Sequence, residues 1–463
     1  MAGNLTKGGY MKKENDYNRY LVAGAGVSGR NACKLLLQLG KDVVLYDNNM
    51  NLDTEALTKE LGGTGKLSFS LGEITDETLE SVDICVISPG IPLDSFAAVR
   101  IREAGLEIWS EIELAWRFMK GRLVAITGTN GKTTTTTLTS HIFADNQESV
   151  FAVGNIGTAF TSQVLNTNEN SVTVAEVSSF QLETIKKFRP TAAAILNITP
   201  DHLNRHKTMD NYVRAKEAIA MNMDKDDICV LNHEDPRLRE FAKACPATVR
   251  FFSSEHELPE GAFVSGGNIY LRKNGIDEMV CSTHSLKIIG KHNYENVCAA
   301  VLLGDSLGVP MESIRRSVLA FTAVEHRIEY VREKNGVVYY NDSKGTNPDA
   351  SIQAIKAMKR PTILIAGGYD KGSDYDEWLM ACLPKTRKLV LVGATAKKIG
   401  EAAQRIGISQ IEYADSFDDA VRVCIESARP GDAVLLSPAC ASWGMFPNYE
   451  VRGRRFKELV NEL

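Results

Sequence analysis

Short apolar stretches alternate with amphipathic stretches along almost the whole chain, and this rhythm is typical of parallel β-sheets covered by helices. Apolar residues in the segments WSEIELAWRFM and TTTTTLTSHIFAD are spaced for helices. The predicted strands are short runs rich in valine, isoleucine and leucine: RYLVA, KDVVLYD, GRLVAIT, SVTVAEV, TAAAILNI, VVYYND, PTILIAGG, KLVLVG and DAVLLSPA. The pattern therefore predicts an α/β fold.

The series of strands and helices restarts twice along the chain, which predicts three domains. A chain of 463 residues is longer than one hydrophobic core usually organises. We predict a Rossmann-like, nucleotide-binding domain over residues 1–120. A central P-loop-type domain with a mostly parallel sheet follows over 121–325, and a second Rossmann-like domain over 326–463.

The stretch ITGTNGKTTTTT, residues 126–137, joins a predicted strand to a predicted helix through a glycine turn. Backbone N–H groups and the positive end of a helix dipole meet at such a turn, so an anion is favoured there. Lys132 is expected to reach the outer phosphates of a nucleotide, and Thr133 to offer its hydroxyl to Mg²⁺. Ile126 stands where the usual phosphate loop has a glycine, so this loop is a variant. The alternative is a plain glycine turn that enters a structural helix.

A second glycine motif, VAGAGVSG, lies about a hundred residues earlier. Gly24, Gly26 and Gly29 follow a predicted strand, and Asp47 ends the next strand, which is the pattern of a diphosphate and ribose site. A UDP-sugar would satisfy this pattern as well as NAD. The turn ISPGIP, residues 87–92, is expected to line the same crevice, with a purely structural turn as the alternative.

Three ionisable residues are candidates for metal binding or acid–base chemistry. Glu176 and His202 follow predicted strands, at the sheet edge where open α/β sheets bind ligands. Glu176 suits Mg²⁺, but it could equally be a helix cap or a salt-bridge partner. A lone loop histidine is more often structural than catalytic. Lys216 lies on a predicted helix, where the residue pattern favours a buried stem with its ammonium in water. A bare ammonium beside Mg²⁺ would be repelled, so a metal role requires its charge to be removed or inverted.

Composition excludes several classes of protein. The formal net charge of -5 argues against a general nucleic-acid binder, because affinity for polyanions comes from lysine and arginine. The polar start of the chain has no signal-peptide pattern, and no apolar stretch is long enough to cross a bilayer. We predict a cytoplasmic protein without membrane insertion. The nine cysteines contain no C-x-x-C pair and are expected to be reduced and mostly buried.

Taken together, a series of motifs resembles the Mur ligases, ATP-dependent enzymes that add amino acids to the peptide of the bacterial cell-wall precursor. The motifs are GTNGKTT, GNIG, EVSSFQLE, NITPDHL, YVRAKEAI, GKHNYENVCAA, EHRIEYV, NDSKGTNPDA, GGYDKG and LLSPACASWGMFPNYEVRGRRF, in that order. The pair NDSK-x-TNPDA and SPACAS…F-x-N-[FY]-x-x-RG is similar to that of the family members that act on UDP-N-acetylmuramoyl-L-alanine and D-glutamate. The resemblance implies these two substrates, ATP as co-substrate, two Mg²⁺ ions and a monomer.

The resemblance also implies roles for individual residues in the central and C-terminal domains. Lys132, Glu176, His202 and Lys216 would be catalytic, with Lys216 carbamylated by CO₂ so that it becomes an anion. Thr133, Glu176, His202 and the carbamate of Lys216 would hold the metal ions. The implied ATP-binding residues are Gly128, Thr129, Asn130, Gly131, Lys132, Thr133, Thr134, Asn293, Asn296, Arg327 and Asp342.

Two further groups of residues would bind the other substrates. The implied UDP-substrate residues are Ser28, Asp47, Asn48, Gly90 and Asn155. The implied D-glutamate residues are Thr346, Lys371, Ser442 and Tyr449. Two positions depart from the family pattern: Gly345 stands where alanine is common, and Gly444 where an acidic residue is common. Both are expected to touch the amino-acid pocket.

Rival functions remain open at the level of sequence. An NAD-dependent oxidoreductase would use the first glycine motif and Asp47, but it leaves the central loop and Glu176 without a role. A non-catalytic nucleotide sensor would bind ATP without releasing phosphate. A Mur ligase with a different amino-acid specificity and a folate polyglutamating ligase are the remaining alternatives.

Overall fold

A computed structural model describes residues 17–62, 65–155, 157–322 and 324–463. Residues 1–16, which belong to the first predicted domain, lie outside the described residues. The chain forms two compact units. The first comprises Met1–Lys132, Asn146–Leu231 and Asp235–Arg250, and the second Thr133–Asp145, Asn232–Glu234 and Phe251–Leu463. The domain boundaries near residues 120 and 325 stay predictions.

The first sheet is entirely parallel. Within the described residues its strands are β1 (Arg19–Ala23), β2 (Asp42–Asp47), β3 (Leu67–Leu71), β4 (Ile84–Ile87) and β5 (Ile108–Ser110). They are ordered β3-β2-β1-β4-β5, so the strand order reverses beside β1. The accompanying helices are α1 (Val27–Gln38), α2 (Thr54–Leu61), α3 (Asp76–Glu80), α4 (Phe96–Glu103) and α5 (Glu111–Phe118). Strands covered on both faces are apolar throughout, which explains the continuous apolar runs in this part of the sequence.

The second sheet is mostly parallel. Its strands in the described chain are β6 (Arg122–Thr127), β7 (Val150–Gly154), β8 (Val172–Glu176), β9 (Ala192–Ile195), β10 (Ile228–Asn232), β11 (Thr248–Ser253), β12 (Gly261–Ser265), β13 (Asn268–Lys273) and β14 (Ile276–Ser282). Their order is β14-β13-β12-β11-β10-β9-β6-β8-β7. The pairs β12–β13 and β13–β14 are antiparallel, whereas β6 is parallel to both of its neighbours.

The helices of this middle region are of very different lengths. They are α6 (Lys132–Ala144), α7 (Ser179–Leu182), α8 (Leu203–His206), α9 (Met209–Glu217), α10 (Pro236–Phe241), α11 (Lys291–Ser306) and α12 (Met311–Ala320). Short 3-10 turns lie at Phe160–Ser162, Val164–Asn166, Ala218–Ala220 and Thr283–Ser285. The predicted helix after the glycine turn is α6, and its first threonines are buried.

The third sheet has a single antiparallel edge strand. Its strands among the described residues are β15 (Glu329–Lys334), β16 (Val337–Asn341), β17 (Thr362–Ala366), β18 (Thr386–Leu391), β19 (Ile411–Tyr413) and β20 (Ala433–Leu436), ordered β15-β16-β20-β17-β18-β19. Only the β15–β16 pair is antiparallel. The helices are α13 (Pro348–Ala357), α14 (Asp376–Cys382), α15 (Ala396–Ile406), α16 (Phe417–Ser427) and α17 (Tyr449–Asn461).

Each sheet buries apolar side chains against its helices. In the third sheet, Leu364 and Leu435 pack on one face and Ile363 and Val434 on the other, as the alternation along a strand requires. Cores on both faces leave the loops at the strand ends as the places where polar groups gather. No helix in the described part of the chain is both long and apolar enough to cross a membrane. Eight of the cysteines are buried and Cys245 is partly exposed.

Candidate active site

The loop after β6 is held in place by the segment that follows β9. The Thr129 N–H donates to the Asn197 carbonyl oxygen at 2.9 Å. The Asn130 N–H donates to Asn197 Oδ1 at 2.8 Å, and Asn197 Nδ2 donates back to the Asn130 carbonyl oxygen at 3.1 Å. Gly128 has a φ of +153°, and a Cβ there would lie 3.0 Å from Leu196 Cβ. Contacts within the chain therefore set the shape of the loop.

Lys132 lies over this loop in the first unit. Its Nζ donates to the carbonyl oxygens of Gly128 at 2.8 Å and Thr129 at 2.9 Å. These bonds hold a positive charge at the carboxyl end of β6, where the sequence predicts the outer phosphates. The contact with phosphate stays a prediction.

Glu176, the last residue of β8, is buried and only partly satisfied. Asn155 Nδ2 donates to its Oε1 at 3.2 Å, while Oε2 is buried and has no hydrogen-bond partner among the described residues. Ser178 and Gln181, rather than Glu176, form the capping box of α7, and the hydrogen-bond partner of the Glu176 carboxylate among the described residues is the neutral amide of Asn155. A buried carboxylate oxygen without a hydrogen-bond donor lowers the stability of the folded protein unless a cation binds it. The residue therefore fits a Mg²⁺ ligand.

Lys216 is buried rather than solvated. It is 2% exposed, and its Nζ donates to the Gly128 carbonyl oxygen at 2.8 Å and lies 4.7 Å from the centre of the Tyr212 ring. The expectation that its ammonium stands in water is wrong, because the α9 face that carries it packs onto the loop after β6. Burial lowers the pKa of Lys216 well below its usual value, and the nearby charge of Lys132 adds to this, against the opposite influence of Asp201 and Glu176. Burial and the charge of Lys132 thus disfavour the charged ammonium form.

His202 precedes α8 in a left-handed conformation with φ 52°. Its N–H donates to Asp201 Oδ1 at 2.8 Å, and its ring lies 4.9 Å from the Phe180 ring. The side chain is half exposed. The structure thus brings Lys132 and Lys216 to one carbonyl oxygen, and the negative charges of Asp201 and Glu176 oppose the effect of Lys132 on the pKa of Lys216. The role of His202 stays a prediction.

The glycine motif of the first unit forms a tight strand-to-helix turn. Gly24 has a φ of +100°, and a Cβ on Gly29 would lie 1.8 Å from the Gly24 carbonyl oxygen, so no side chain fits at Gly29. Asp47 Oδ2 accepts from the Ala25 N–H at 2.8 Å, and Oδ1 accepts from the Asn49 N–H at 3.0 Å. Asp47 therefore stabilises the turn itself, and a ribose would share its oxygens with these backbone donors.

The other residues predicted to bind the UDP substrate lie at strand ends. Ser28 is half-buried in the first turn of α1, and Asn48 and Gly90 are exposed just after β2 and β4. Since β1, β2 and β4 are parallel, these positions share one edge of the first sheet. The arrangement is that of a ligand crevice beside the reversal in strand order.

In the second unit, a chain of polar contacts runs from α6 to α11. Thr135 Oγ1 donates to Asn296 Oδ1 at 3.2 Å, Asn296 Nδ2 donates to Asn293 Oδ1 at 3.2 Å, and Asn293 Nδ2 donates to the Ile289 carbonyl oxygen at 2.7 Å. Thr134 is buried, and its hydroxyl has no partner within the described chain. Asn293 and Asn296 are thus fixed in orientation by each other.

Thr133 directly follows Lys132 in the chain, and its hydroxyl accepts a hydrogen bond from Lys344 Nζ at 3.1 Å. Lys344 was not singled out from the sequence, although the motif NDSKGTN contains it. Its Nζ also lies 5.5 Å from the centre of the Tyr449 ring. A lysine at the hydroxyl that is predicted to bind Mg²⁺ is a second candidate for contact with phosphate.

The positive charge of Arg327 acts on the buried carboxyl group of Asp342. Asp342 Oδ2 accepts from Ser437 Oγ at 2.7 Å and Oδ1 from the Ile328 N–H at 3.2 Å. Burial raises the pKa of Asp342 to about 7, although Ser437 and Arg327 act in the opposite direction. Arg327 lies between His326 and Ile328, which have positive φ values of 66° and 46°. Its Nε is buried without an acceptor in the described chain, so the guanidinium is suited to an anion.

The residues predicted for D-glutamate occupy loops of the third sheet. Lys371 Nζ lies 5.2 Å from the centre of the exposed Trp443 ring, and Trp443 packs edge-on against Tyr369 at 5.4 Å. Ser442 is buried, and Thr346 is half-buried next to Lys344. The amino-acid contacts themselves stay predictions.

The two departures from the family pattern have physical explanations. A Cβ on Gly345 would lie 2.5 Å from Asp342 Oδ2 and 3.1 Å from Ser351 Oγ, so this arrangement leaves no room for alanine. Gly444 has a φ of +86° and open space where a Cβ would point. Its backbone conformation, rather than crowding, favours glycine there.

Comparison with known proteins decides the family. Three family models match successive parts of the chain: the Mur ligase MurD-like N-terminal domain over residues 18–110, the Mur ligase middle domain over 126–304, and the Mur ligase glutamate ligase domain over 326–440. The chain belongs to the Mur ligase family. The predicted family and the predicted three-domain α/β fold are confirmed.

Curated Mur ligases match the chain over almost its whole length. The UDP-N-acetylmuramoylalanine–D-glutamate ligase of Lachnospira eligens is 52% identical over 96% of this chain and 98% of its own. The ligase of the same name from Lachnoclostridium phytofermentans is 53% identical over 96% and 98%. These relatives give no support to an NAD-dependent oxidoreductase.

Solved structures of other Mur ligases share the fold at low sequence identity. The UDP-N-acetylmuramate–alanine ligase of Thermotoga maritima has a TM-score of 0.60 at 19% identity, over 96% of this chain and 99% of that chain. The MurF ligase of Thermotoga maritima, solved in complex with ADP, has a TM-score of 0.59 at 17% identity, over 97% and 96%. The Mur ligase fold is thus retained while the sequences have diverged.

Sequence reasoning missed several residues that shape the site. Asn197 and Thr199 anchor the loop after β6, and the Tyr212 hydroxyl lies 3.0 Å from Thr129 Oγ1. Asn197 and Thr199 belong to the motif NITPDHL and Tyr212 to YVRAKEAI. Their presence in motifs that also supply His202 and Lys216 is the signal that could have pointed to them.

Proposed function

We propose that this protein adds D-glutamate to UDP-N-acetylmuramoyl-L-alanine with consumption of ATP, during synthesis of the peptidoglycan precursor. The observation that carries the proposal is identity of about half, over nearly the full length of both chains, to relatives named for this reaction. The Lys132 ammonium on the loop after β6 and the partly satisfied Glu176 support it, since the reaction needs a cation for phosphate and a carboxylate for Mg²⁺.

The reaction proceeds in two steps. A carboxylate oxygen of the alanyl residue attacks the γ-phosphorus of ATP, the bond to the bridging oxygen breaks, and ADP leaves. The amine of D-glutamate then attacks the acyl carbon of the resulting acyl phosphate; phosphate leaves with the electron pair of the C–O bond, and the amine loses a proton. Both early reactants are anions, so the first barrier is chiefly charge repulsion.

This chain offers cations and anion-binding groups where that repulsion arises. The loop glycines Gly128 and Gly131 and the ammonium of Lys132 bind phosphate oxygens, while Thr129 and Asn130 hold the loop in shape through Asn197. Lys344 contributes a second ammonium at Thr133. Asn293, Asn296, Arg327 and Asp342 hold the remainder of ATP. Mg²⁺ held by Thr133, Glu176 and His202 would neutralise phosphate charge and orient the oxygens.

Lys216 is proposed to act as a carbamate. Its buried amine is favoured in the neutral form, and a neutral amine attacks the carbon of CO₂ to form an N–C bond with loss of one proton. The product carries a negative charge and two oxygens, so it would serve as a metal ligand, whereas an ammonium would repel the ions. The lowered pKa of Lys216 supports this step because an ammonium has no lone pair to react.

The remaining residues are assigned to the two other substrates. Ser28, Asp47, Asn48, Gly90 and Asn155 are proposed to bind the UDP substrate. Thr346, Lys371, Ser442 and Tyr449 are proposed to bind the carboxylates of D-glutamate, and Lys371 is the residue whose charge most directly suits them. The cytoplasmic location stays a prediction.

The test is phosphate release from ATP with each substrate omitted in turn, and with D-glutamate replaced by L-glutamate or meso-diaminopimelate. Release that requires UDP-N-acetylmuramoyl-L-alanine and D-glutamate together is expected. Release with a different amino acid would move the enzyme within the family. ATP binding without release in any mixture would favour a nucleotide sensor instead.

A further inference from the structure

Two histidines and a glutamate of the second unit meet where β10 and β11 end, in residues that the proposed reaction does not use. His233 and Glu234 directly follow β10, and His256 lies three residues beyond the end of β11. One ligand atom from each of the three lies within 4.8 Å of the other two. The burial decreases from the half-buried His233 and Glu234 to the exposed His256, so the cluster is accessible from one side.

The backbone on both sides of the cluster is fixed. The His233 N–H donates to the Phe252 carbonyl oxygen at 2.9 Å, which ties the end of β10 to β11. The His256 N–H donates to Ser253 Oγ at 2.7 Å. The two imidazole rings lie 5.6 Å apart. Because the backbone is held in this way, rotation of the three side chains would be enough to bring their ligand atoms around an ion.

The carboxyl group of Glu234 is surrounded by polar side chains. His256 Nδ1 lies 3.1 Å from its Oε2 and 3.2 Å from its Oε1, and the Ser253 hydroxyl donates to Oε1. Burial raises the pKa of Glu234, but the hydrogen bonds from Ser253 and His256 outweigh it, and the net shift is downward. Among the described residues, neither a lysine nor an arginine hydrogen-bonds to this carboxylate.

A second carboxyl group lies near the cluster. Glu295 of α11 accepts from Ser254 Oγ at 2.5 Å and from Asn232 Nδ2 at 3.5 Å. Burial raises the pKa of Glu295, and the charge of Glu234 raises it further, against Ser254 and Lys291. A bound cation would offset the repulsion between these two groups and favour their charged forms.

We propose that His233, Glu234 and His256 form a binding site for a divalent transition-metal ion such as Zn²⁺, with one coordination position open to water. Two imidazole nitrogens and one carboxylate are a ligand set that Zn²⁺ accepts, whereas Mg²⁺ prefers oxygen ligands only. All three ligands belong to the second unit, whereas Glu176 belongs to the first. Bound metal joins the turn after β10 to the turn after β11.

The test uses the full-length protein without a polyhistidine tag, stripped of metal and kept in excess Mg²⁺ so that oxygen-ligand sites are filled. Zn²⁺ binding is measured by calorimetry, and Co²⁺ is added as a spectroscopic probe of imidazole coordination. One equivalent is expected to bind to the wild type. His256→Ala, His233→Asn and Glu234→Gln should each weaken binding by at least about tenfold, as loss of a ligand does.

His284→Ala is the matched control, because His284 is an exposed histidine of the same unit that lies outside the cluster. It should bind Zn²⁺ as the wild type does. Since His256 is exposed, its replacement is expected to leave the fold intact, and Zn²⁺ should raise the unfolding temperature of the wild type but not of His256→Ala. Equal affinity in all the variants would overturn the proposal, as would Co²⁺ spectra of thiolate type that vanish in Cys245→Ser.

Discussion

Lys216 Nζ and the Gly128 carbonyl oxygen are 2.8 Å apart, which places a buried amine of α9 directly on the loop after β6. The same oxygen accepts a hydrogen bond from Lys132 at 2.8 Å. Two lysines therefore converge on one carbonyl, and burial together with the charge of Lys132 lowers the pKa of Lys216. The arrangement disfavours the charged ammonium form of Lys216.

Replacement of Lys216 by alanine or arginine is expected to lower the rate of phosphate release by about a hundredfold or more, because each variant lacks the carbamate that would hold a metal ion. Wild-type activity should fall in CO₂-depleted buffer and return when bicarbonate is added, and Lys216→Arg should not respond. Lys225→Ala is the control, since Lys225 is exposed and should leave the rate unchanged. Full activity of Lys216→Arg would show that no carbamate is needed.

Glu176→Gln keeps the size of the side chain and removes its charge. We expect a higher Mg²⁺ concentration for half-maximal activity and a rate at least about tenfold lower, because the buried Oε2 then offers a metal ion no negative charge. A Mg²⁺ titration of phosphate release measures both effects. The exposed Glu169 provides the control variant Glu169→Gln, which should titrate like the wild type. An unchanged Mg²⁺ dependence in Glu176→Gln would remove Glu176 from the metal site.

Gly345→Ala introduces a methyl group 2.5 Å from Asp342 Oδ2. The resulting displacement is expected to lower the free energy of unfolding by about 1–3 kcal/mol and to raise the KM for ATP more than it lowers kcat. Urea unfolding and initial rates measure the two effects. Gly65→Ala, where the added methyl group meets open space, should change neither. A normal KM in Gly345→Ala would count against the proposed contact of Asp342 with ATP.

Glu111 is predicted to make stability depend on pH. It is buried, Gln181 Nε2 donates to its Oε1 at 2.6 Å, and its Oε2 has no hydrogen-bond partner among the described residues. Burial raises the pKa of Glu111 from 4.5 to about 7, although Gln181 acts against this. The unfolded chain thus releases this proton near pH 4.5, while the folded protein keeps it until about pH 7. Consequently, the free energy of unfolding falls as the pH rises through this window.

Glu111→Gln removes that dependence. Relative to the wild type, the variant is expected to gain stability as the pH rises from 5 to 8, by up to about 3 kcal/mol for a shift of this size. Urea unfolding at the two pH values measures the difference. Glu103→Gln alters an exposed carboxyl group and should follow the wild type. Parallel pH profiles for Glu111→Gln and the wild type would mean that Glu111 is ionised in the folded protein.

Much of the fold was predictable because its signals are local. The runs RYLVA, GRLVAIT and SVTVAEV became β1, β6 and β8, since apolar residues on both faces of a strand require cover on both sides. The stretch after the glycine turn forms α6, as the helical spacing of its apolar residues predicts. The positions of the candidate residues at strand ends followed from the parallel sheet.

The sequence by itself determined the family and the α/β fold, and it predicted the phosphate loop and the candidate residues, because these depend on residue order, spacing and motif. Only the tertiary structure decided the environment of each group. It buried Lys216 against Gly128, left Glu176 Oε2 without a donor, and gave both oxygens of Asp47 to backbone N–H groups. Protonation and metal affinity depend on the burial and neighbours of a group, which come from parts of the chain far apart in sequence, so no local pattern contains them.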